Sequence, residues 1–364
     1  MNLRELIERP HVWLAAPGGG RDSVTVSSRV RLARNLAGLA FPGWAGAAER
    51  ERVWKDLSAR LLSLPSMQGA LAAGNDELAE RDRLILFERH LISREHAGKG
   101  RGSGIVLRAD ESIAIMVNEE DHLRIQALCP GLRLQDAWRA VDPLDTELDA
   151  VVSYAFSPRW GYLTACPTNV GTGIRASVML HLPGLVLMED MPRLVKGVSK
   201  IGLAVRGVWG EGTEAHGHLF QISNQMTLGE REEDILRNLE QIVGEIVQHE
   251  LDARARLWTT REVVLRDHVG RAAGILANAH VLSSREALDL LSALRLGIEM
   301  GILPGVERRE VLELLLLTQP AHLQLSEGRP LNPFERDRAR AALVRRRLAG
   351  ALRPTIRGRR AKNE

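Results

Sequence analysis

The spacing of apolar residues changes once along this chain, and that change constrains the fold more than any other feature. Before about residue 257, apolar residues recur at every second position, as in Ile113, Ile115 and Val117 and again in Ile201, Leu203 and Val205. A period of two sends alternate side chains to opposite faces of a strand. From Glu230 to Arg254 the period lengthens, and Ile235, Leu239, Ile242 and Ile246 fall on one stripe of a long amphipathic helix. Beyond residue 257 the strand patterns stop, and segments near 285–300, 307–317 and 335–351 all carry helical spacing. The expectation is an α+β domain followed by a helical one.

Within the first part, Val151 to Phe156 and Gly161 to Ala165 read as two strands joined by a Ser157-Pro158-Arg159 turn, which puts Cys166 at a strand end. After Val117, Asn118 reads as an N-cap with acidic residues in the first helical turn, a strand-to-helix corner. Residues 172–181 suit a short helix stopped by Pro183, and the alternation from Ile201 to Val205 leads as a strand to Arg206. Pro17 to Gly20 and Gly98 to Gly104 read as loops, and there is no tandem repeat.

Composition excludes several classes. With 364 residues, 45% of them hydrophobic, the chain can bury a sizeable core in one large domain or two. Arg4, Glu5, Glu8 and Arg9 stand where a signal peptide needs an apolar run, and no window approaches the roughly 18 apolar residues of a membrane span, so a cytoplasmic location is expected. Cys129 and Cys166 are too few for a disulfide framework, and no Cys/His cluster has zinc-site spacing. The pI of about 9.1 invites a nucleic-acid reading. Yet residues 335–364 carry a net +8 against a total of +3, which leaves −5 for residues 1–334. The basic character is a property of the tail, where a basic amphipathic helix with a frayed end is the plain explanation.

The common nucleotide-binding and metalloprotease motifs are absent: no G-x-x-x-x-G-K-[ST], no H-R-D or D-F-G, no Rossmann glycine fingerprint and no H-E-x-x-H. In their place stand arginines in distinctive settings: Ser27-Ser28-Arg29-Val30-Arg31, Arg124, Arg175-Ala176-Ser177-Val178-Met179 and Arg206-Gly207. A guanidinium grips phosphate oxygens with a planar, permanently charged fork. Any one of these alone would pass for a solvated arginine, and the case rests on the group. Glu119, Glu120 and Asp121 form an acidic turn for which capping suffices at Glu119 and Asp121, while Glu211 lies between Gly210 and Gly212 in a loop. Locally, Cys166 reads as an ordinary buried cysteine unless its thiolate is stabilised.

Together these segments carry a resemblance. Cys166-Pro167-Thr168-Asn169-Val170-Gly171-Thr172 resembles the signature of the phosphagen (guanidino) kinase superfamily, Asn118-Glu119-Glu120-Asp121-His122-Leu123-Arg124 its acidic motif, and Ser27 to Arg34 its first ATP-binding segment. Three separated motifs in the right order are specific. His90-Leu91-Ile92-Ser93 after Arg89, Gly171-Thr172-Gly173, and Arg206-Gly207-Val208-Trp209-Gly210-Glu211-Gly212 are similar to the bacterial protein-arginine kinases within that superfamily. The likeness covers nearly the whole chain. Small-molecule phosphagen kinases carry a helical domain before the catalytic one, and with the first ATP-binding segment at Ser27 none is expected here. Arg336-Asp337-Arg338-Ala339-Arg340-Ala341 matches an R-D-x-x-R-A motif that the protein-arginine kinases use to bind phosphoarginine.

The resemblance implies a phosphagen-kinase-like domain over residues 1–256, a mainly antiparallel sheet flanked by helices. It also implies an all-helical phosphoarginine-binding and dimerisation domain over 257–352 and a basic tail over 353–364. It makes Glu120 the general base, Glu211 a second carboxylate that grips the guanidinium, and Cys166 a thiolate that orients it. ATP would bind through Ser27, Ser28, Arg29, Val30, Arg31, His90, Arg124, Arg175, Ala176, Ser177, Val178, Met179, and Arg206, Gly207, Val208, Trp209, Gly210 and Glu211. Mg²⁺ would be carried by the nucleotide, with no protein ligand, and Arg336, Asp337, Arg340 and Ala341 would form a separate phosphoarginine site. Implied partners are arginine-containing protein substrates, a McsA-type activator, the Clp protease machinery, a stress-response repressor and a second copy of the chain, with no membrane or direct nucleic-acid contact. A kinase for free arginine and a non-catalytic nucleic-acid-binding or adaptor protein are the alternatives.

Overall fold

The computed structural model describes His11, residues 20–208 and residues 215–351. The chain divides into two compact units, Met1–Thr260 and Arg261–Glu364. Among the described residues no helix is long and apolar enough to cross a membrane.

The first unit is built on one eight-stranded sheet. Its strands are β1 (Thr25–Arg34), β2 (Leu71–Gly74), β3 (Gly104–Leu107), β4 (Ile113–Val117), β5 (Leu123–Pro130), β8 (Ile174–His181), β9 (Leu203–Gly207) and β10 (Leu219–Asn224), in the order β2-β3-β4-β5-β1-β8-β10-β9. Every pairing is antiparallel. A separate two-residue hairpin joins β6 (Phe156–Ser157) to β7 (Gly161–Tyr162). The helices are α1 (Ala47–Ser63), α2 (Glu80–Glu88), α3 (Arg94–Ala97), α4 (Leu134–Asp149), α5 (Pro183–Leu187), α6 (Met191–Lys200) and α7 (Glu232–Asn278).

The two faces of the sheet are covered unequally. Val30, Leu32, Ile115, Ile125, Ala176, Val178 and Ile222 point to one face and are sealed by Leu57 and Leu61 of α1, Val141 and Leu144 of α4, and Leu239 and Val243 of α7. On the other face a smaller cluster, Leu86, Leu91, Ile92, Ile105, Met116 and Leu128, covers only the β2–β5 half. The β1, β8, β10 and β9 half of that face carries polar side chains instead. A sheet face left uncovered by apolar packing is where a ligand can sit.

Two expected helices are strands or turns. Residues 118–122 close a tight hairpin between β4 and β5, with the Asn118 amide donating to the His122 carbonyl at 2.9 Å, so there is no strand-to-helix corner. Asn118 has φ +57°, a left-handed conformation that asparagine tolerates, and its side-chain amide donates to Arg50 and Gly102 carbonyls. Residues 174–181 form β8, at the centre of the sheet, not a helix. Burial of Ile174, Ala176, Val178 and Leu180 on the core face outweighs their helical propensity. Cys166 likewise does not end a strand. It precedes a 3₁₀ turn, Pro167–Asn169, in the loop after the small hairpin.

The second unit is helical, with α8 (Ser284–Glu299), α9 (Arg308–Leu317), α10 (Pro320–Ser326) and α11 (Pro333–Leu348) following the end of α7. The helical stretch α7 is interrupted at Arg261, which is non-helical (φ −139°, ψ 33°). Helix α11 opens with a complete capping box, Asn332 and Glu335 exchanging side-chain-to-backbone bonds, and with Pro333 in its first turn. Leu291, Leu294, Val311, Leu315 and Val344 are among the buried apolar residues of this unit.

Candidate active site

The register of the antiparallel strands decides which residues share the open face, because directly paired residues point the same way. Arg31 pairs with Arg175 on one side and Gln126 on the other, and Arg124 lies two residues from Gln126 on β5. Arg29 pairs with Ser177, Ser27 with Met179, Gln221 with Met179, and Arg206 with Gln221. Arg29, Arg31, Arg124, Arg175 and Arg206 therefore stand on one face of the sheet, on β5, β1, β8 and β9, with Gln221 of the intervening β10 among them.

Among the described residues few anions answer them. Arg29 donates to the Gln221 side-chain amide oxygen at 3.0 Å, and burial followed by Arg124 and Arg175 pushes its pKa down to about 10. Arg31 is lowered further by burial and by Arg29, Arg124 and Arg175, with Glu119 opposing. Arg175 is lowered by burial, Arg206 and Arg124, with Cys166 opposing. Guanidinium groups do not lose their protons in proteins, so the shifts register a positive field short of counter-charge.

The acidic turn has three separate tasks. Glu119 accepts two bonds from Arg124, both at 2.6 Å, and one from the Ser93 hydroxyl at 2.5 Å. Burial alone would raise its pKa, but Arg124 and Ser93 hold it below the usual carboxylate range. Asp121 accepts from the Asn35 amide and from the Ala165 backbone amide, each at 2.6 Å, which staples the turn to the residue before Cys166. Glu120 is exposed at the cavity wall, and partial desolvation there, then the neighbouring Asp121, raise its pKa. A raised carboxylate pKa is the setting of a general base.

Cys166 is half-buried, with Sγ 3.0 Å from the Thr168 hydroxyl. Its loop is fastened from behind by Thr227, whose hydroxyl donates to Thr168 and Val170 carbonyls at 3.0 and 2.7 Å and whose own carbonyl accepts the Thr172 amide at 3.1 Å. Gly171 sits at φ +111°, and a Cβ there would lie 2.4 Å from the Thr227 carbonyl oxygen, so only glycine fits this approach.

One cavity of about 740 Å³ gathers these groups: Arg31, Arg124, Arg175 and Arg206 with Glu119, Glu120 and Cys166. A narrow crevice of about 20 Å³, lined by Ser27, Arg29, His90, Ser177 and Met179, meets it at Gln221. Burial, then Arg29, pushes the His90 pKa down to about 3, so its ring is neutral. His90 has φ +60°, and its turn is held by the buried Arg89–Glu111 pair and by Gln126, which donates to the His90 and Leu91 carbonyls.

Not every expected residue faces this space. Ser28, Val30, Ala176 and Val178 are buried on the opposite face, where Ser28 donates to the Gly131 carbonyl. Gly207 ends β9 with Val208 after it, while Trp209, Gly210 and Glu211 lie outside the described residues. In the helical unit, Arg336 and Asp337 are half-buried on α11, and Ala341 is buried. Arg340 is buried and donates to the Thr318 and Leu282 carbonyls and to Asp337. Sequence reasoning missed the clamp of Glu119 on Arg124, the Asp121 staple, Gln221, Thr227, and Phe41 and Trp44, which also line the cavity.

Comparison with known proteins follows the same outline. Residues 64–253 match the family model for the ATP:guanido phosphotransferase C-terminal catalytic domain, and residues 262–359 that for the protein-arginine kinase McsB C-terminal domain. The chain is 47% identical over 353 residues to the protein-arginine kinase of Halothermothrix orenii, covering 96% of this chain and 99% of that one. It is also 47% identical over 348 residues to that of Moorella thermoacetica, covering 94% and 99%. Among solved structures it resembles lombricine kinase, at a TM-score of 0.57 and 23% identity over 70% of this chain and 76% of that one. It also resembles the duplicated taurocyamine kinase of Schistosoma mansoni, at 0.59 and 24% over 76% of this chain and 40% of that one. The structural likenesses speak for the fold; the full-length identities decide the family, and the chain belongs to the protein-arginine kinases, a branch of the ATP:guanido phosphotransferases.

Proposed function

We propose that the cavity between the open-face arginines and the acidic turn is where this protein-arginine kinase moves the γ-phosphoryl group of ATP onto the guanidinium of an arginine in a protein. The observation that carries this reading is the convergence of four arginines with Glu120 and Cys166 in one cavity. A positive field short of anions fits a triphosphate, and an acid beside it fits a guanidinium.

Phosphoryl transfer asks for alignment and charge neutralisation more than for covalent catalysis. Arg29, Arg31, Arg124, Arg175 and Arg206 bind the phosphates, and Glu119 with Ser93 fixes the direction of Arg124. Neutral His90 and Met179 flank the base of the nucleotide; their crevice is far smaller than a purine, so binding widens it. Mg²⁺, carried by the phosphates, adds charge neutralisation. The acceptor is protonated in water, with a pKa above about 12. Glu120 takes its proton as the guanidinium nitrogen forms the N–P bond and the bond from γ-phosphorus to the bridging oxygen breaks, leaving ADP. Cys166 orients the acceptor, and the resemblance gives Glu211, which lies outside the described residues, the part of a second carboxylate for the guanidinium.

The helical unit, over residues 257–352, supplies regulation in this reading. Arg336 and Asp337 offer a phosphate partner and a guanidinium partner to phosphoarginine, while Arg340 holds their helix in place. A McsA-type activator, the Clp protease machinery, a stress-response repressor, a homodimer and a cytoplasmic setting complete the proposal by family membership.

Incubation with Mg-ATP and an arginine-containing protein tests it. The product is an acid-labile phosphoramidate on arginine, seen by mass spectrometry under neutral conditions. Label confined to Ser, Thr or Tyr contradicts the reading, and transfer to free arginine with none to protein selects the small-molecule alternative.

A further inference from the structure

Trp44 is the most exposed large apolar side chain among the described residues, at 90%, and it lines the cavity that holds Glu120 and Cys166. An indole in water on an ordered turn gains nothing for the fold. The turn itself is well held. The Trp44 and Ala45 amides donate to the Phe41 carbonyl at 2.8 and 2.9 Å, and Arg50 donates to the Ala45 carbonyl at 2.5 Å. The Phe41 ring stands edge-on to His122 with centroids 6.4 Å apart, and the His122 Nδ1 accepts the Leu36 amide. Phe41 thus ties the loop to the acidic turn two residues after Glu120, and Pro42, buried beside it, limits the backbone further.

We infer that Trp44 is a specificity-determining residue that stacks on the polypeptide beside the target arginine. Once Glu120 holds the guanidinium inside the cavity, what emerges at the rim is the neighbouring peptide plane and side chain. A rigid indole recognises both at small entropic cost, because its two side-chain torsions are few and the turn beneath it is fixed. It favours apolar neighbours, which it can shield from water, over glycine, which offers it little surface. The inference rests on the cavity at Glu120 receiving the acceptor.

The test uses the full-length enzyme, Mg-ATP and two blocked tripeptides, Gly-Arg-Gly and Leu-Arg-Leu. The wild type phosphorylates Leu-Arg-Leu with a KM lower by about tenfold. Trp44→Ala brings the two peptides to within about twofold of each other, leaves KM for ATP unchanged and alters kcat little, while Trp44→Phe keeps most of the preference. A preference that survives Trp44→Ala, an equal loss on both peptides, or a loss accompanied by a change of oligomeric state overturns the inference. Glu120→Gln run alongside separates the two claims. If it is inactive on both peptides, a failure at Trp44 concerns the rim alone; if it turns over normally, the cavity reading falls and the rim assignment with it.

Discussion

Strand β1 carries arginines on both of its faces, and they live in opposite circumstances. Arg34 points into the core, 2% exposed, and every edge of its guanidinium is engaged. It meets Asp145 at 2.7 Å, donates to the Thr172 and Ala33 carbonyls at 2.9 and 3.0 Å, and lies 3.5 Å over the Tyr162 ring. Three residues earlier, Arg31 faces the open cavity among four other arginines, with Glu119 opposing their field. An arginine that holds a fold is saturated by acceptors, whereas one that awaits a ligand is surrounded by its own kind. Arg340 in the helical unit, with two carbonyls and a carboxylate, has the saturated pattern.

The largest effect concerns the acid opposite the open face. Glu120→Gln lowers turnover by roughly 10²–10⁴-fold, as loss of a positioned base does, and leaves nucleotide affinity nearly unchanged. The base works when deprotonated, so activity falls as pH drops through its pKa. Because that pKa is raised, the acid limb of kcat/KM is displaced upward from the position of an unperturbed glutamate. A limb at the ordinary position would remove Glu120 from the role. Next comes the saturated face: Arg34→Ala strands Asp145 in the core and costs about 3–5 kcal/mol in denaturant unfolding. A loss under 1 kcal/mol would erase the distinction between the faces.

Glu119→Gln weakens the charge-assisted clamp on Arg124, worth about 1.5–3 kcal/mol, and raises KM for ATP by roughly tenfold or more in steady-state assays. In the helical unit, Arg340→Ala leaves two buried carbonyls without their donor and destabilises that unit by about 1–3 kcal/mol in thermal unfolding. Arg336→Ala leaves stability within about 0.5 kcal/mol and blunts any response to phosphoarginine, which makes it the cleaner probe of that site.

The sequence displayed the open-face arginines and the acidic turn, since each lies in a compact local motif. It concealed how they meet. Arg175, Ser177 and Met179 alternate with Ile174, Ala176 and Val178 at a strand's period, but alanine, methionine and leucine followed by a proline also suit a helix, and only the central position in the sheet decides. The acids after Asn118 imitate a helix N-terminus, whereas the left-handed Asn118 closes a hairpin. Contacts such as Asp121 to Ala165, 44 residues apart, and Arg34 to Asp145, 111 apart, have no local signal. Phe41 and Trp44 escaped notice because an aromatic in a loop is seldom informative until its exposure is known.

The central claim, that the open-face guanidiniums await the phosphates of ATP, is tested most directly by thermal unfolding of Arg31→Ala with and without Mg-ATP. Without nucleotide the variant unfolds at or slightly above the wild-type temperature, since removing Arg31 relieves like-charge repulsion, and the stabilisation that Mg-ATP gives the wild type is largely lost. A variant that unfolds several degrees below wild type, as is expected of Arg34→Ala, yet keeps the full nucleotide-induced shift would show that Arg31 serves the fold rather than the ligand.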